Sequence, residues 1–273
     1  MLIYLDWRDL SDVLEEDSRF NLLQDKMHAG GHQLLICFAH IIELCRRGPN
    51  RPVCRMLLDL EKLPLRWAEE DLVFPLELNE AVNAFCDGRE YGTVLPFVKL
   101  FAEICPPNEL GRRPRANITP AEWYWECWND PSAKIGEERE KVEARWTAWR
   151  SESPGPVPPV PFVQTFERLA ACHSVVSRPG GNIPEVAKWV QQSPSRCPGL
   201  RTSHEVLQVR LRKRQRRVEG GDMQDSVHVR FAPYVDLITL DGETRDDLRQ
   251  ARALTSALLD RVCKNLDEAM KRL

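Results

Sequence analysis

Val235-Asp236-Leu237-Ile238-Thr239-Leu240-Asp241-Gly242 carries the strongest strand and turn signals in the chain. Aliphatic and β-branched residues favour a strand there, and Asp241-Gly242 is a sharp-turn pair. Residues 246 to 271 follow, with apolar positions at Leu248, Ala251, Leu254, Leu258, Leu259, Val262 and Leu266. That spacing predicts one charged amphipathic helix. A strand that ends in an acid ahead of a helix lies where α/β proteins place ligand groups, at the carboxyl edge of the sheet.

The same pattern opens the chain. Leu2-Ile3-Tyr4-Leu5 is a short apolar run, read as a buried strand, and it ends in Asp6. Residues 7 to 28 carry apolar positions at Leu10, Val13, Leu14, Phe20, Leu22 and Leu23, which predicts one or two amphipathic helices, and Gly30-Gly31 breaks the segment. A second apolar run, Leu34 to Phe38, passes into Ala39 to Arg47 and stops at Gly48-Pro49. The unit reads strand, turn, helix, with Glu43 in the first helical turns.

Between Pro52 and Ile104 the spacing is mainly helical, in Cys54 to Leu60 and Leu76 to Phe85, with Pro64, Pro75 and Pro96 dividing it. Residues 105–161 differ. They hold Trp123, Trp125, Trp128, Trp146 and Trp149, five of the eight tryptophans, and end in the proline-rich run 153–161. The expectation is an insertion in a single domain whose core comes from 1–104 and 162–273. Its tryptophans either pack the insertion onto that domain or form a base-stacking platform. Beyond residue 162 the pattern is helical again as far as the basic run.

The chain has 273 residues, 42% of them hydrophobic and 29% charged, enough apolar surface for a folded core. Lys plus Arg (38) nearly balances Asp plus Glu (41), so no whole-molecule field attracts polyanions, and a nucleic-acid site has to be a local patch. Arg212, Lys213, Arg214, Arg216 and Arg217 are the candidates for phosphate contact, or else a solvated helix face.

The nine cysteines are scattered, with neither a CxxC pair nor Cys/His spacing of the zinc kind. Cys37 and Cys45 show no His partner at a diagnostic spacing. Free thiols in apolar runs, together with an N-terminus unlike a signal peptide, predict a cytoplasmic protein. No run approaches the ~18 apolar residues of a membrane span. Dinucleotide, P-loop and serine-hydrolase motifs are missing from the sequence.

Asp6, Glu43 and Asp241 therefore stand at or just beyond strand ends. Asp222, Asp225 and His228 have the i, i+3, i+6 spacing that turns side chains toward one helix face. Acids gathered from distant segments repel one another unless a cation neutralises them, and hard cations such as Mg2+ or Mn2+ prefer oxygen ligands. Taken singly, Asp6 reads equally as a helix N-cap, Asp241 as a turn residue and His228 as a structural histidine.

Ile3 to Asp6, the helix bearing Glu43 after Leu34 to Phe38, and above all Asp225 to His228 followed by Ala232 to Asp241 resemble the PIN-domain ribonucleases and their bacterial PIN-like relatives. The resemblance covers about the first fifty and the last fifty residues. It implies a three-layer α/β/α fold on a short central parallel sheet. It also implies that Asp6, Glu43, Asp225 and Asp241 hold Mg2+ or Mn2+ for cleavage of single-stranded RNA, with Asp222, His228 and Asp236 as supporting residues. Nucleic acid is the implied partner, RNA rather than DNA, with a homodimer or a protein inhibitor as further partners and no membrane. The family's small hydroxyl residue and Asn after the first Asp are replaced here by Trp7-Arg8-Asp9. A scaffold that has lost cleavage and binds RNA or a protein is the second expectation, and a plain helical interaction protein, with Asp6 and Asp241 far apart, the third.

Overall fold

The computed structural model describes residues 1–45, 51–105, 113–127, 159–175, 178–179, 181–213, 228–251 and 256–273. Six strands form one sheet: β1 (Leu2–Tyr4), β2 (Gln33–Cys37), β3 (Leu65–Ala68), β4 (Phe97–Val98), β5 (Leu237–Thr239) and β6 (Val262–Cys263), in the order β4-β3-β2-β1-β5-β6. All neighbours run parallel except β4, which is antiparallel to β3. The chain builds outward from β1 through β2 to β3, then returns to lay β5 on the other side of β1. The direction of winding therefore reverses between β1 and β5, the place where open α/β sheets leave a crevice at their carboxyl edge.

Helices cover both faces. Ile3, Leu5, Leu34, Ile36 and Leu237 pack against α1 (Trp7–Glu15), α2 (Asp17–Gly30), α3 (Phe38–Cys45) and α4 (Arg51–Leu60). The alternate residues Tyr4, Leu35, Cys37 and Ile238 point the other way, against α5 (Val73–Cys86), α10 (Pro198–Arg212), α11 (Gly242–Gln250) and the turn Ala232–Tyr234. Strand residues buried in both directions are what central parallel strands require. On the second face a further apolar cluster joins α5 and α10 to α8 (Phe162–Cys172) and α9 (Ile183–Gln191). The architecture is compatible with three layers, α/β/α.

Local chemistry explains most boundaries. Asp6 accepts from the amide of Trp7 at 2.9 Å and starts α1. Gly31, at φ +59°, ends α2 in the left-handed conformation that side chains disfavour. Pro64 and Pro96 end helical pattern, but each is followed by a strand, so the middle region is less helical than its spacing predicts. Pro75 lies in the first turn of α5, where its missing N–H is harmless.

The single helix expected over 246–271 does not form. In its place stand α11, the short helix α12 (Ser256–Leu259), the edge strand β6 and α13 (Leu266–Arg272). Val262 and Cys263 pair with Ile238 and Thr239, and Asn265 caps α13 by accepting from Glu268 N at 3.1 Å. Apolar positions at helical spacing were met by a strand because tertiary pairing outweighed local propensity.

Of the insertion, α6 (Phe101–Ile104) precedes it and α7 (Pro120–Cys127) lies within it. Trp123 is buried, edge-on to Phe38 and Phe101 at ring separations of 5.3 and 6.2 Å, whereas Trp125 is exposed. Trp128, Trp146 and Trp149 lie outside the described residues. Among the described residues no helix is long and apolar enough to cross a membrane.

Candidate functional site

Two acids mark the carboxyl edge of the central strands. Asp6 follows β1 and Asp241 follows β5, and β1 and β5 are neighbours. The Asp6 amide donates to the Thr239 hydroxyl at 2.8 Å, so the two strand ends are tied directly. Both acids are half-buried. Asp241 Oδ1 accepts from the amides of Glu243 (2.8 Å) and Thr244 (3.0 Å), capping α11. A capping role and a position at the sheet's switch point thus coincide in each residue.

Asp9, one turn into α1, joins this edge. Burial raises its pKa, while the Thr239 hydroxyl and the Leu266 amide favour its ionised form. Thr239 accepts from the Asp6 amide and stands close enough to Asp9 to favour its charged form. Asp9 thus brings a third carboxylate to the strand ends that carry Asp6 and Asp241.

Glu43 lies on α3, which starts directly after β2. Its buried carboxylate lies 3.9 Å from Nε2 of His228. His228 continues inward, since its Nδ1 is hydrogen-bonded to the Tyr4 hydroxyl. Tyr4 Oη is 3.3 Å from Cys37 Sγ, which is 3.2 Å from Nδ1 of His40. His40 Nε2 donates to the Leu5 carbonyl at 2.8 Å, which fixes the ring. The His40 and His228 rings lie 5.0 Å apart, and Tyr4 stacks on Phe231.

This network is closed to water: Tyr4, Cys37 and His40 are 0% exposed and His228 is 1%. Burial lowers His40 to about 4 and puts His228 well below the ordinary imidazole range, so both rings are neutral. Burial likewise raises Tyr4 and Cys37. Glu70 faces the Cys37 thiol and accepts from the Ala39 amide at 2.6 Å, capping α3, and burial raises its pKa too. Nearby Arg230 donates to the Glu70 carbonyl at 3.2 Å.

Sequence reasoning missed Tyr4, Cys37 and His40. The expectation that Cys37 has no histidine partner is corrected here: His40 follows by three residues and brings Nδ1 against the thiol, because α3 begins immediately after β2 and its first turn folds back over the strand end. The signal was present as a polar residue inside each apolar run.

Asp236 lies at the opposite edge. Its carboxylate accepts from Leu2 N at 2.7 Å and its amide donates to Leu2 O at 2.8 Å, pinning the starts of β1 and β5 together. Parallel strands put the residue before β5 at the amino edge, away from Asp6 and Asp241. Asp222, Asp225, Arg214, Arg216 and Arg217 lie outside the described residues. Arg212 is exposed at the end of α10, and Lys213 contacts Asp247 of α11, with Glu243 at 3.8 Å.

Comparison of the chain with protein-family models, with curated proteins and with solved structures gave no match.

Proposed function

We propose that the protein is a PIN-like metal-dependent nuclease that cleaves single-stranded RNA with Mg2+ or Mn2+ at the carboxyl edge of β1 and β5. The observation that carries this reading is the pairing of Asp6 and Asp241 on adjacent parallel strand ends at the reversal of sheet winding.

The donor chemistry fits a hard cation. Asp6 and Asp241 offer carboxylate oxygens that are partly accessible, and Asp241 Oδ2 makes no hydrogen bond among the described residues. A cation held there would supply a hydroxide-generating, charge-stabilising centre for phosphodiester hydrolysis. Thr239 fixes where Asp6 stands, and α11 fixes Asp241 through its first-turn amides. Asp9 adds negative charge beside them. Glu43 acts one layer deeper, through His228 and Tyr4, as a positioning residue.

The inactive-scaffold reading explains Asp6 and Asp241 as helix caps alone, and substitution by Asn separates the two. Asn caps a helix about as well as Asp, so folding is preserved while the charge is lost. Purified protein incubated with single-stranded RNA and Mn2+ is expected to cut it, and Asp6→Asn with Asp241→Asn to abolish cutting at unchanged melting temperature. Undiminished cutting by the double variant would overturn the proposal.

A further inference from the structure

Tyr4, Cys37, His40 and His228 are more than a packed polar cluster. Three segments far apart in sequence deliver four donor atoms to one dry point: β1 gives a phenol, β2 with α3 a thiol and an imidazole, and the segment entering β5 a second imidazole. One ligand atom each from Cys37, His40 and His228 lies within 4.8 Å of the other two. A tetrahedral zinc ion with ordinary Zn–S and Zn–N bonds holds such atoms about 3.3 to 3.6 Å apart. The Sγ to Nδ1 distance of 3.2 Å is just short of that range, so the pair needs to open by only a few tenths of an ångström, about 0.3 Å, to take the ion.

The outer contacts add an independent observation. Metal-bound histidines usually give their other ring nitrogen to a carbonyl or a carboxylate. His40 does the first, donating Nε2–H to Leu5 O at 2.8 Å. His228 directs Nε2 at Glu43, 3.9 Å away, and that buried nitrogen has no hydrogen-bond partner among the described residues. Both imidazoles thus turn the remaining nitrogen toward Cys37 and Tyr4.

We propose that Cys37 Sγ, His40 Nδ1 and His228 Nδ1, with the Tyr4 oxygen as fourth donor, form a closed zinc site that clamps β1, β2, α3 and the approach to β5. Thiolate and imidazole select a borderline-soft ion, so the site is chemically distinct from the oxygen-lined edge at Asp6 and Asp241. Binding breaks the Cys37 S–H bond, forms a zinc–sulfur bond and releases that proton to solvent, while Tyr4 keeps its proton. The neutral imidazoles bind without losing a proton. Glu70 beside Cys37 and Glu43 beside His228 offset the positive charge that remains. The Cys37 amide contact to His40 Nδ1, 3.2 Å and at the long end for a hydrogen bond, and the Tyr4 hydroxyl bond to His228 Nδ1 both break when the ion takes those nitrogens.

The test uses the full chain, stripped with a chelator and titrated with Co2+ as a spectroscopic probe, then with Zn2+. Expected is saturable cobalt uptake with a near-ultraviolet thiolate-to-cobalt band that zinc abolishes, retained in Asp6→Asn/Asp241→Asn and lost in Cys37→Ser. X-ray absorption of the zinc-loaded wild type, which needs no variant, is expected to give a first shell of a single sulfur with nitrogen and oxygen. No uptake by the wild type, an all-oxygen shell, or a thiolate band that persists in Cys37→Ser would overturn the proposal.

Discussion

The amide of Asp6 is hydrogen-bonded to the hydroxyl of Thr239 across 2.8 Å, joining the carboxyl ends of two strands that lie 233 residues apart in the chain. This one hydroxyl sets the spacing of the acids at the sheet's switch point.

Thr239→Val keeps the shape of this fully buried side chain and removes its oxygen. The Asp6 amide then loses its acceptor, a loss of about 1 to 3 kcal/mol. Chemical denaturation should show that loss, and manganese-dependent cleavage should fall more steeply than stability alone explains.

His40 gives a pH prediction for the metal-free protein. Its pKa is about 4 in the fold against the ordinary 6.5, because burial opposes the imidazolium. Between these values the unfolded chain binds a proton that the native state does not, so stability rises with pH. The contribution is complete above pH 6.5 and is lost as pH falls through 4, with a ceiling of about 3 kcal/mol from a shift of this size. His204, lowered to about 4, adds in the same direction. Melting temperature in chelator should decline from pH 7 to pH 4, and His40→Gln should flatten that decline.

Glu77 holds the second layer of helices. Its carboxylate accepts from Gly199 N at 2.6 Å and Leu200 N at 2.8 Å at the start of α10, and from the Tyr234 hydroxyl. Glu77→Ala strands these buried donors together, so a loss of about 3 kcal/mol or more is expected. Tyr234→Phe removes one donor and leaves the carboxylate in place, for which about 1 kcal/mol is expected. Equal effects of the two variants in urea denaturation would contradict this ranking.

Asp247 is shared by two cations. Its side chain is 0% exposed, with Arg210 Nε at 2.9 Å and the Lys213 ammonium in contact. Breaking a buried pair from one side costs about 3 to 5 kcal/mol. Asp247→Ala should therefore destabilise far more than Glu243→Ala, whose contact with Lys213 is longer, at 3.8 Å, and exposed. Differential scanning calorimetry of both variants decides it.

The central strands were legible because parallel strands buried on both faces leave continuous apolar runs, as in Leu34 to Cys37. Asp6 and Asp241 could be found as the first polar residues after such runs. The edge strands were not legible. β4 and β6 are two residues each, too short for periodicity, and the pairing that makes Val262 and Cys263 a strand is supplied by β5. His40 was hidden for a different reason: its polarity matters only once Tyr4 and His228, 36 residues before it and 188 after it, arrive at the same place.

Crystals soaked in MnCl2 and measured at the manganese absorption edge test the nuclease assignment most directly. The account predicts an anomalous peak coordinated by the carboxylates of Asp6 and Asp241. Full soaking with no manganese at that edge, or manganese bound only elsewhere, would contradict it.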